Sequence, residues 1–222
     1  MLSHGEILRR LRAIAVVPIV RTAHAESAVA AVEALIEGGL ECVEITMTVE
    51  NALKAMERVA DTYGDRVLLG AGTVLDAETA RVSMLAGAQF FVTPSSNPKT
   101  VAMARRYGRP VFPGALTPTE ILAAWEAGAD AIKVFPCNAL GGAKYIRAIK
   151  APFPQIELFP TGGVNLETVG DFLGAGSFAV GIGSELIEAR SLADGRYHVI
   201  TDRARQFREA AAAALAKRAG SV

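Results

Sequence analysis

The sequence contains few of the residues that bind metal ions or form disulfide bonds. Its 222 residues include two cysteines and three histidines. Neither Cys42 nor Cys137 belongs to a CxxC motif, which excludes the usual zinc-binding and redox patterns. The histidines, at positions 4, 24 and 198, are too scattered for their spacing to indicate a metal site. We therefore expect a functional site without metal ligands.

An excess of positive charge is also absent. Lysine plus arginine and aspartate plus glutamate each number 23, whereas nucleic-acid-binding and membrane-surface proteins usually show a basic excess. No apolar run approaches the roughly 20 residues that span a membrane. The run at 13–20 precedes Ala23-His24-Ala25, but it is short and contains Pro18, which disfavours a signal peptide. We expect a cytoplasmic protein that binds neither nucleic acid nor membrane.

What recurs along the chain is a short apolar run followed by a helical pattern. The runs repeat roughly every 20 to 27 residues, about the length of a βα unit. They cover residues 16–20, 42–46, 67–71, 89–93, 110–112, 131–135, 157–160 and 178–182. Helical patterns include residues 26–37, 50–62, 77–86 and 119–126, with further helices predicted over 2–13 and 201–219.

Eight strands alternating with helices fit either a closed barrel or an open doubly wound sheet. An open dinucleotide-binding sheet would place G-x-G-x-x-G after its first strand, but Arg21-Thr22-Ala23 stands there instead. We therefore predict an α/β protein in which residues 1–222 form a single (β/α)8 TIM-barrel domain. The helix predicted over 2–13 is an extra N-terminal element.

Lys133 interrupts one of the apolar runs, Ala-Ile-Lys-Val-Phe-Pro at residues 131–136. Lysine is rarely buried unless it is paired, and desolvation favours the neutral form of an amine. A neutral amine at a strand end is the nucleophile that a Schiff-base enzyme requires. The alternative is a structural lysine whose aliphatic stem packs on the core while its ammonium group reaches water.

Strand parity places Glu44 and Lys133 on the same side of the predicted barrel. Side chains alternate between the two faces of a strand, and Glu44 alternates with Val43 and Ile45, which suit the outer helices. Lys133 alternates with isoleucine and valine in the same way. Two charged groups inside a barrel would each be costly alone, so we expect them to lie close together. A surface carboxylate at a sheet edge is the alternative for Glu44, but a closed barrel has no edge.

Glycines follow the last two predicted strands, in Thr161-Gly162-Gly163 and Gly181-Ile182-Gly183-Ser184. In (β/α)8 barrels the loops after strands 7 and 8 frequently bind phosphate, since glycine lets backbone N–H groups approach the oxygen atoms. The serine adds a hydroxyl group. The simpler alternative is that these glycines only form tight turns.

Together these motifs resemble the 2-keto-3-deoxy-6-phosphogluconate (KDPG) aldolase family, which includes 4-hydroxy-2-oxoglutarate (KHG) aldolases and a galactonate counterpart. The resemblance extends over roughly residues 6–210. The matching segments are Val-Pro-Ile-Val-Arg (17–21), Gly-Gly-Leu-Glu-Cys-Val-Glu-Ile-Thr (38–46), Gly-Ala-Gly-Thr-Val-Leu (70–75), Phe-Val-Thr-Pro (91–94), Phe-Pro-Gly (112–114), Ile-Lys-Val-Phe-Pro (132–136), Pro-Thr-Gly-Gly-Val (160–164) and Gly-Ile-Gly-Ser (181–184).

The resemblance implies a class I aldolase that uses no metal or other cofactor, acts on a small 2-keto acid sugar phosphate and forms a homotrimer. It makes Lys133 the Schiff-base lysine and Glu44 the catalytic acid and base. Thr73 would contact the pyruvate carboxylate, and Phe135 would lie over the imine. The other substrate-binding positions that it implies are Pro94 and Thr161 for sugar stereochemistry, and Gly162, Gly163, Gly183 and Ser184 for phosphate.

Thr48 departs from the family pattern. Many members have an arginine there, four residues after the glutamate, that contacts the substrate carboxylate. Threonine offers one neutral hydrogen bond rather than a bidentate charged contact, so Arg21 is the candidate replacement. KDPG cleavage is the expected reaction, because the glycine loops favour a phosphorylated substrate and Thr161 favours the gluconate type. Cleavage of KHG or of the galactonate counterpart, a phosphate-binding barrel isomerase and a non-catalytic sugar-phosphate-binding barrel are the alternatives.

Overall fold

The computed structural model describes residues 2–220, in which short strands alternate with helices. Residues 1, 221 and 222 of the predicted domain lie outside the described residues. The strands are β1 (Val16–Val20), β2 (Cys42–Thr46), β3 (Leu68–Gly72), β4 (Phe90–Val92), β5 (Val111–Phe112), β6 (Gly114–Ala115), β7 (Ile132–Val134), β8 (Leu158–Pro160) and β9 (Val180–Ile182). The α-helices are α1 (His4–Ile14), α2 (Ala25–Glu37), α3 (Ala52–Tyr63), α4 (Ala77–Leu85), α5 (Pro98–Arg106), α6 (Pro118–Glu126), α7 (Ala143–Lys150), α8 (Val169–Gly174), α9 (Ala189–Ala193) and α10 (Tyr197–Ala219), and short 3-10 helices cover Gly64–Arg66 and Cys137–Leu140.

The paired strands run parallel and form two sheets. One has the order β5-β4-β3-β2-β1-β9 and the other the order β6-β7-β8. The fifth predicted run, residues 110–112, contains β5, and β6 follows it directly after Pro113, which has no N–H to donate to a neighbouring strand. An isolated parallel bridge joins Thr161, just after β8, to Gly181 of β9. The α/β class with parallel strands is confirmed. Strand pairing among the described residues gives a six-stranded and a three-stranded sheet, and does not by itself close them into the predicted eight-stranded barrel.

Element boundaries agree closely with the sequence patterns. β1 and β2 have the predicted bounds, and β3 ends at Gly72 rather than at residue 71. The extra N-terminal helix is α1, and α10 begins at Tyr197 rather than at residue 201. No helix among residues 2–220 is long and apolar enough to cross a membrane.

Strand parity divides the curled sheets into an inner and an outer face. The ring of Phe112 lies 5.9 Å from that of Phe90 and 5.5 Å from that of Phe159, which brings β4, β5 and β8 together on the inner face. The inner cluster consists of Ile7, Leu11, Val17, Cys42, Leu68, Phe90, Val92, Phe112, Ala131, Phe159, Phe178 and Ala179. Alternate strand residues such as Val43 and Ile132 pack instead with the helices.

Helix α1 covers the amino ends of the strands. Ile7 and Leu11 are fully buried in the inner cluster. Arg10 donates hydrogen bonds to two backbone carbonyls just before β3, each at 2.6 Å. Arg12 forms an ion pair with Glu157, just before β8, at 2.8 Å. Because α1 closes this end, ligands have access from the opposite end, where the carboxyl ends of the strands lie.

Candidate active site

Lys133 and Glu44 are both buried on the inner face. Lys133 is the middle residue of β7 and is 4% exposed, and Glu44 is the middle residue of β2 and is fully buried. The Nζ atom of Lys133 lies 5.2 Å from the ring centroid of Phe135. Neither carboxylate oxygen of Glu44 has a hydrogen-bond partner within residues 2–220. A buried carboxyl group without hydrogen bonds is costly for folding, so this pair indicates a functional site.

Burial and nearby charges act in opposite directions on Glu44. Burial raises the pKa of the Glu44 carboxyl group above its ordinary value, and the positive charges of Lys133 and Arg21 offset part of that increase. In the described part of the chain, Lys133 and Glu44 do not form an ion pair within 4.0 Å. Lys133 therefore acts on Glu44 through its charge and not through a direct ion pair.

Gly72, at the end of β3, makes room for the Glu44 carboxylate. A Cβ atom at this position would lie 2.5 Å from both Cγ and Cδ of Glu44 and would overlap Oε1. The register pairs Gly72 with Thr46 and Gly70 with Glu44, which brings the two strands' inner faces together here. The sequence shows the glycines of β3, but their role depends on this register, which sequence reasoning did not provide.

Thr73 follows Gly72 in a strained backbone conformation. Its φ of +54° lies in the left-handed region, which is rare for a β-branched residue. Such conformations cost about 1–3 kcal/mol and cluster at ligand sites. Pro94 lies at the carboxyl end of β4, where its carbonyl oxygen packs against Gly114 of β6. Both predicted substrate contacts therefore lie at the carboxyl ends of strands.

A cavity of about 470 Å³ opens at the carboxyl ends of β1, β8 and β9. Lys133 and Glu44 do not line it themselves, but two of their neighbours do: Phe135, whose ring is near Lys133, and Ile19, which is paired in register with Glu44. Thr73 and Pro94 are not among its lining residues. The predicted site residues that line it are Arg21, Phe135, Thr161, Gly162, Gly163, Gly183 and Ser184, and the others are Ile19, Val164, Asn165, Gly181, Glu185, Ile187 and Ala189.

Two consecutive glycines form the turn beside this cavity. Gly162 and Gly163 have φ values of +95° and +78°, a region that residues with a side chain rarely adopt. A Cβ atom on Gly163 would also lie 2.7 Å from Cβ of Asn138. Thr161 is buried, and its hydroxyl oxygen has no hydrogen-bond partner within the described chain. The end of β8 therefore brings a hydroxyl group and a compact backbone turn to the cavity.

In the part of the chain that the structure describes, the cysteines and carboxylates form neither a thiolate site nor a metal site. Burial raises the pKa of the Cys137 thiol to about 12 and raises that of Cys42 as well. Neither thiol is therefore a thiolate nucleophile near neutral pH. Across residues 2–220, no three His, Cys, Asp or Glu side chains are grouped so that they could hold a metal ion.

An α/β fold with a buried lysine and glutamate next to a cavity at the strand ends is the framework of an enzyme, and comparisons with known proteins give its class. The model of the family described as KDPG and KHG aldolase matches residues 7–203. The protein is thus an aldolase, a lyase that cleaves carbon–carbon bonds. It belongs to the KDPG and KHG aldolase family.

Named relatives cover most of the chain. A 2-dehydro-3-deoxy-phosphogluconate aldolase from Treponema pallidum (strain Nichols) is 37% identical over 201 residues, 90% of this chain and 94% of the relative. A 2-dehydro-3-deoxy-6-phosphogalactonate aldolase from Escherichia coli (strain K12) is 38% identical over 174 residues, 78% and 84% of the two chains. Both gluconate-named and galactonate-named aldolases are therefore similar to this protein.

A solved structure relates the fold to imine chemistry. KDPG aldolase from Legionella pneumophila, with pyruvate captured at low pH as a covalent carbinolamine intermediate, superposes with a TM-score of 0.83 at 28% identity. The superposition covers 92% of this chain and 97% of that one. The relative thus has the same fold and a covalent intermediate of the kind that a Schiff-base aldolase forms.

Proposed function

We propose that the protein cleaves KDPG to pyruvate and glyceraldehyde 3-phosphate through an imine on Lys133. The observation that supports this most strongly is the buried pair of Lys133 and Glu44. Burial raises the pKa of the Glu44 carboxyl group, the nearby charge of Lys133 offsets part of that increase, and neighbours of both residues line the cavity. The proposed chemistry uses side chains alone, with no metal or other cofactor.

The first half of the reaction forms the imine. The neutral amine of Lys133 attacks the 2-keto carbon, and the resulting carbinolamine loses water once its hydroxyl group is protonated. Glu44 in its protonated form supplies that proton, and burial helps because a raised pKa keeps the carboxyl group protonated closer to neutral pH. The protonated imine then acts as an electron sink.

The second half breaks the C3–C4 bond. The Glu44 carboxylate accepts the proton of the 4-hydroxyl group, directly or through water, and the C3–C4 electron pair moves into the imine. Glyceraldehyde 3-phosphate leaves, and the remaining enamine is protonated at C3. Hydrolysis of the imine releases pyruvate and regenerates Lys133. One carboxyl group acts as acid and as base in turn, which is efficient when its pKa is near the working pH.

Arg21 and Thr73 are the proposed contacts of the substrate carboxylate. Arg21 lines the cavity, and its positive charge offsets part of the increase in the pKa of Glu44. Phe135 covers the imine, and Pro94 and Thr161 contact the sugar hydroxyl groups. The proposed phosphate contacts are Gly162, Gly163, Gly183 and Ser184.

KHG and the galactonate counterpart of KDPG are the alternative substrates. KHG has no phosphate group and would leave the glycine turns without a partner. The galactonate aldolase of Escherichia coli is 38% identical over its matched length, whereas the hydroxyl group of Thr161 favours the gluconate type. A non-catalytic sugar-phosphate-binding protein would need the glycine turns but not Lys133.

The proposal also includes a closed eight-stranded barrel, a single domain over residues 1–222 and a cytoplasmic homotrimer. Closure is supported by the bridge between Thr161 and Gly181, and by Pro113 as the one residue between β5 and β6. An oligomer is supported by a designed protein cage made by fusing symmetric oligomeric domains. The cage chain is 33% identical with a TM-score of 0.85, over 94% of this chain and 76% of that one.

Turnover of the three keto acids tests the proposal. Pyruvate release would be followed with lactate dehydrogenase and NADH for the wild type, Lys133→Met and Lys144→Met. Lys144 is an exposed lysine on α7 and serves as the matched control. We expect the highest kcat/KM with KDPG, no turnover by Lys133→Met and wild-type rates for Lys144→Met. A higher kcat/KM with another keto acid would overturn the substrate, and turnover by Lys133→Met would overturn the mechanism.

A further inference from the structure

We propose that Thr48 is a positioning residue that acts through Thr46 on the backbone that presents Arg21 to the substrate carboxylate. This inference rests on the proposed function, in which Arg21 binds that carboxylate. It gives a role to the threonine that stands where many family members have an arginine.

Two threonine hydroxyl groups form a directed chain from β2 to β1. Thr46 Oγ1 lies 3.2 Å from the carbonyl oxygen of Val20 and 2.8 Å from Thr48 Oγ1. A threonine hydroxyl group has one hydrogen, and a carbonyl oxygen only accepts. Thr46 therefore donates to Val20, and Thr48 donates to Thr46. In this arrangement the single proton of Thr48 is already engaged, so Thr48 does not donate to the substrate.

The anchored carbonyl group belongs to the peptide bond between Val20 and Arg21. Thr46 is fully buried, which makes loss of its hydrogen bond costly. On the other side of Arg21, the backbone N–H of Glu50 donates to the carbonyl oxygen of Ala23 at 3.1 Å. The short segment that contains Arg21 is therefore tied at both ends to the segment that follows β2.

Anchoring matters here because the Arg21 side chain is exposed, so fewer contacts restrain it than restrain a buried side chain. Recognition of a carboxylate by arginine depends on the orientation of the guanidinium plane. The position of the Arg21 backbone therefore contributes to where that group points. Removing the Thr48 hydroxyl group leaves the Thr46 oxygen without the donor that holds it in place, which should loosen the bond from Thr46 to Val20 without changing Lys133 or Glu44.

Trapping of pyruvate with borohydride measures the effect. The concentration that half-saturates imine formation would be determined by mass spectrometry for pyruvate and for its uncharged methyl ester. For Thr48→Val we expect a rise of roughly 3- to 10-fold with pyruvate, as for the loss of one net hydrogen bond, and no change with the ester. Thr48→Ser should restore the wild-type value. Thr62→Val, which removes an exposed hydroxyl group bonded to the Arg58 carbonyl, is the control.

A double variant separates positioning from direct contact. In an Arg21→Leu background, Thr48→Val should cause no further change, because the hydroxyl group acts through Arg21. The positioning role is overturned if the Thr48 effect persists in that background, if it is equal for pyruvate and the ester, or if Thr48→Val behaves as wild type. If the wild-type protein forms no pyruvate adduct at all, the proposed function itself fails and this inference fails with it.

Discussion

Replacing Gly72 with alanine is expected to displace the Glu44 carboxylate and to slow turnover sharply. The new methyl group would lie 2.5 Å from Cγ and Cδ of Glu44, whereas non-bonded carbon atoms pack at about 3.5–4.0 Å. The carboxylate must therefore move by roughly 1 Å, and a misplacement of that size costs on the order of 100-fold in rate. Overpacking should also lower the free energy of unfolding by about 1–3 kcal/mol, or Tm by roughly 2–12 °C.

The assay is kcat from pyruvate release, measured alongside Tm by circular dichroism. Gly170→Ala on α8 is the matched control, because a Cβ atom at Gly170 would meet no described atom within 4 Å beyond its own helix turn. It should keep the wild-type kcat. If Gly72→Ala is folded and also keeps the wild-type kcat, the position of the carboxylate is irrelevant to turnover and the role of Glu44 is refuted.

Three further predictions concern charge, phosphate and pH. Arg21→Leu should raise KM for KDPG by roughly 10- to 100-fold, as for loss of a charged hydrogen bond of about 1.5–3 kcal/mol. An unchanged KM would count against a contact between Arg21 and the substrate carboxylate. Gly163→Ala should raise KM for KDPG but not for KHG, because alanine at φ +78° is strained and meets Asn138; equal effects would rule out phosphate binding there. Since burial raises the Glu44 pKa, this carboxyl group's contribution to stability is present at low pH and is lost as the pH rises through that pKa. Glu44→Gln should therefore gain stability relative to the wild type as the pH rises from about 5 to about 8. Urea denaturation measures the free energy of unfolding of both proteins, and a difference that stays constant over this range would contradict the prediction.

Sequence patterns located the strands well, because buried parallel strands are short β-branched and aromatic runs between helices. The pattern of residues 42–46 matches β2 at both ends. The pattern around residues 110–112 could not show that a further short strand, β6, follows Pro113, since that depends on which backbone groups the neighbouring strands require. The start of α10 also escaped prediction, because Arg196 precedes it without a side-chain cap.

For the site, strand parity alone put Glu44 and Lys133 on one face, and both are buried there. The space that Gly72 leaves for the carboxylate depends on the register between β2 and β3. The hydrogen bond from Thr46 to Val20 likewise joins segments far apart in sequence. Contacts of this kind are set by tertiary structure, so a single sequence does not reveal them.

Imine formation on Lys133 is the central claim, and reductive trapping tests it most directly. The wild-type protein would be incubated with pyruvate, reduced with borohydride, digested and examined by mass spectrometry, with Lys133→Met and Lys144→Met treated in parallel. We expect a pyruvate-derived adduct on Lys133 that is lost in Lys133→Met and kept in Lys144→Met. Unmodified wild-type protein, or an adduct on a different lysine, would contradict the proposed mechanism.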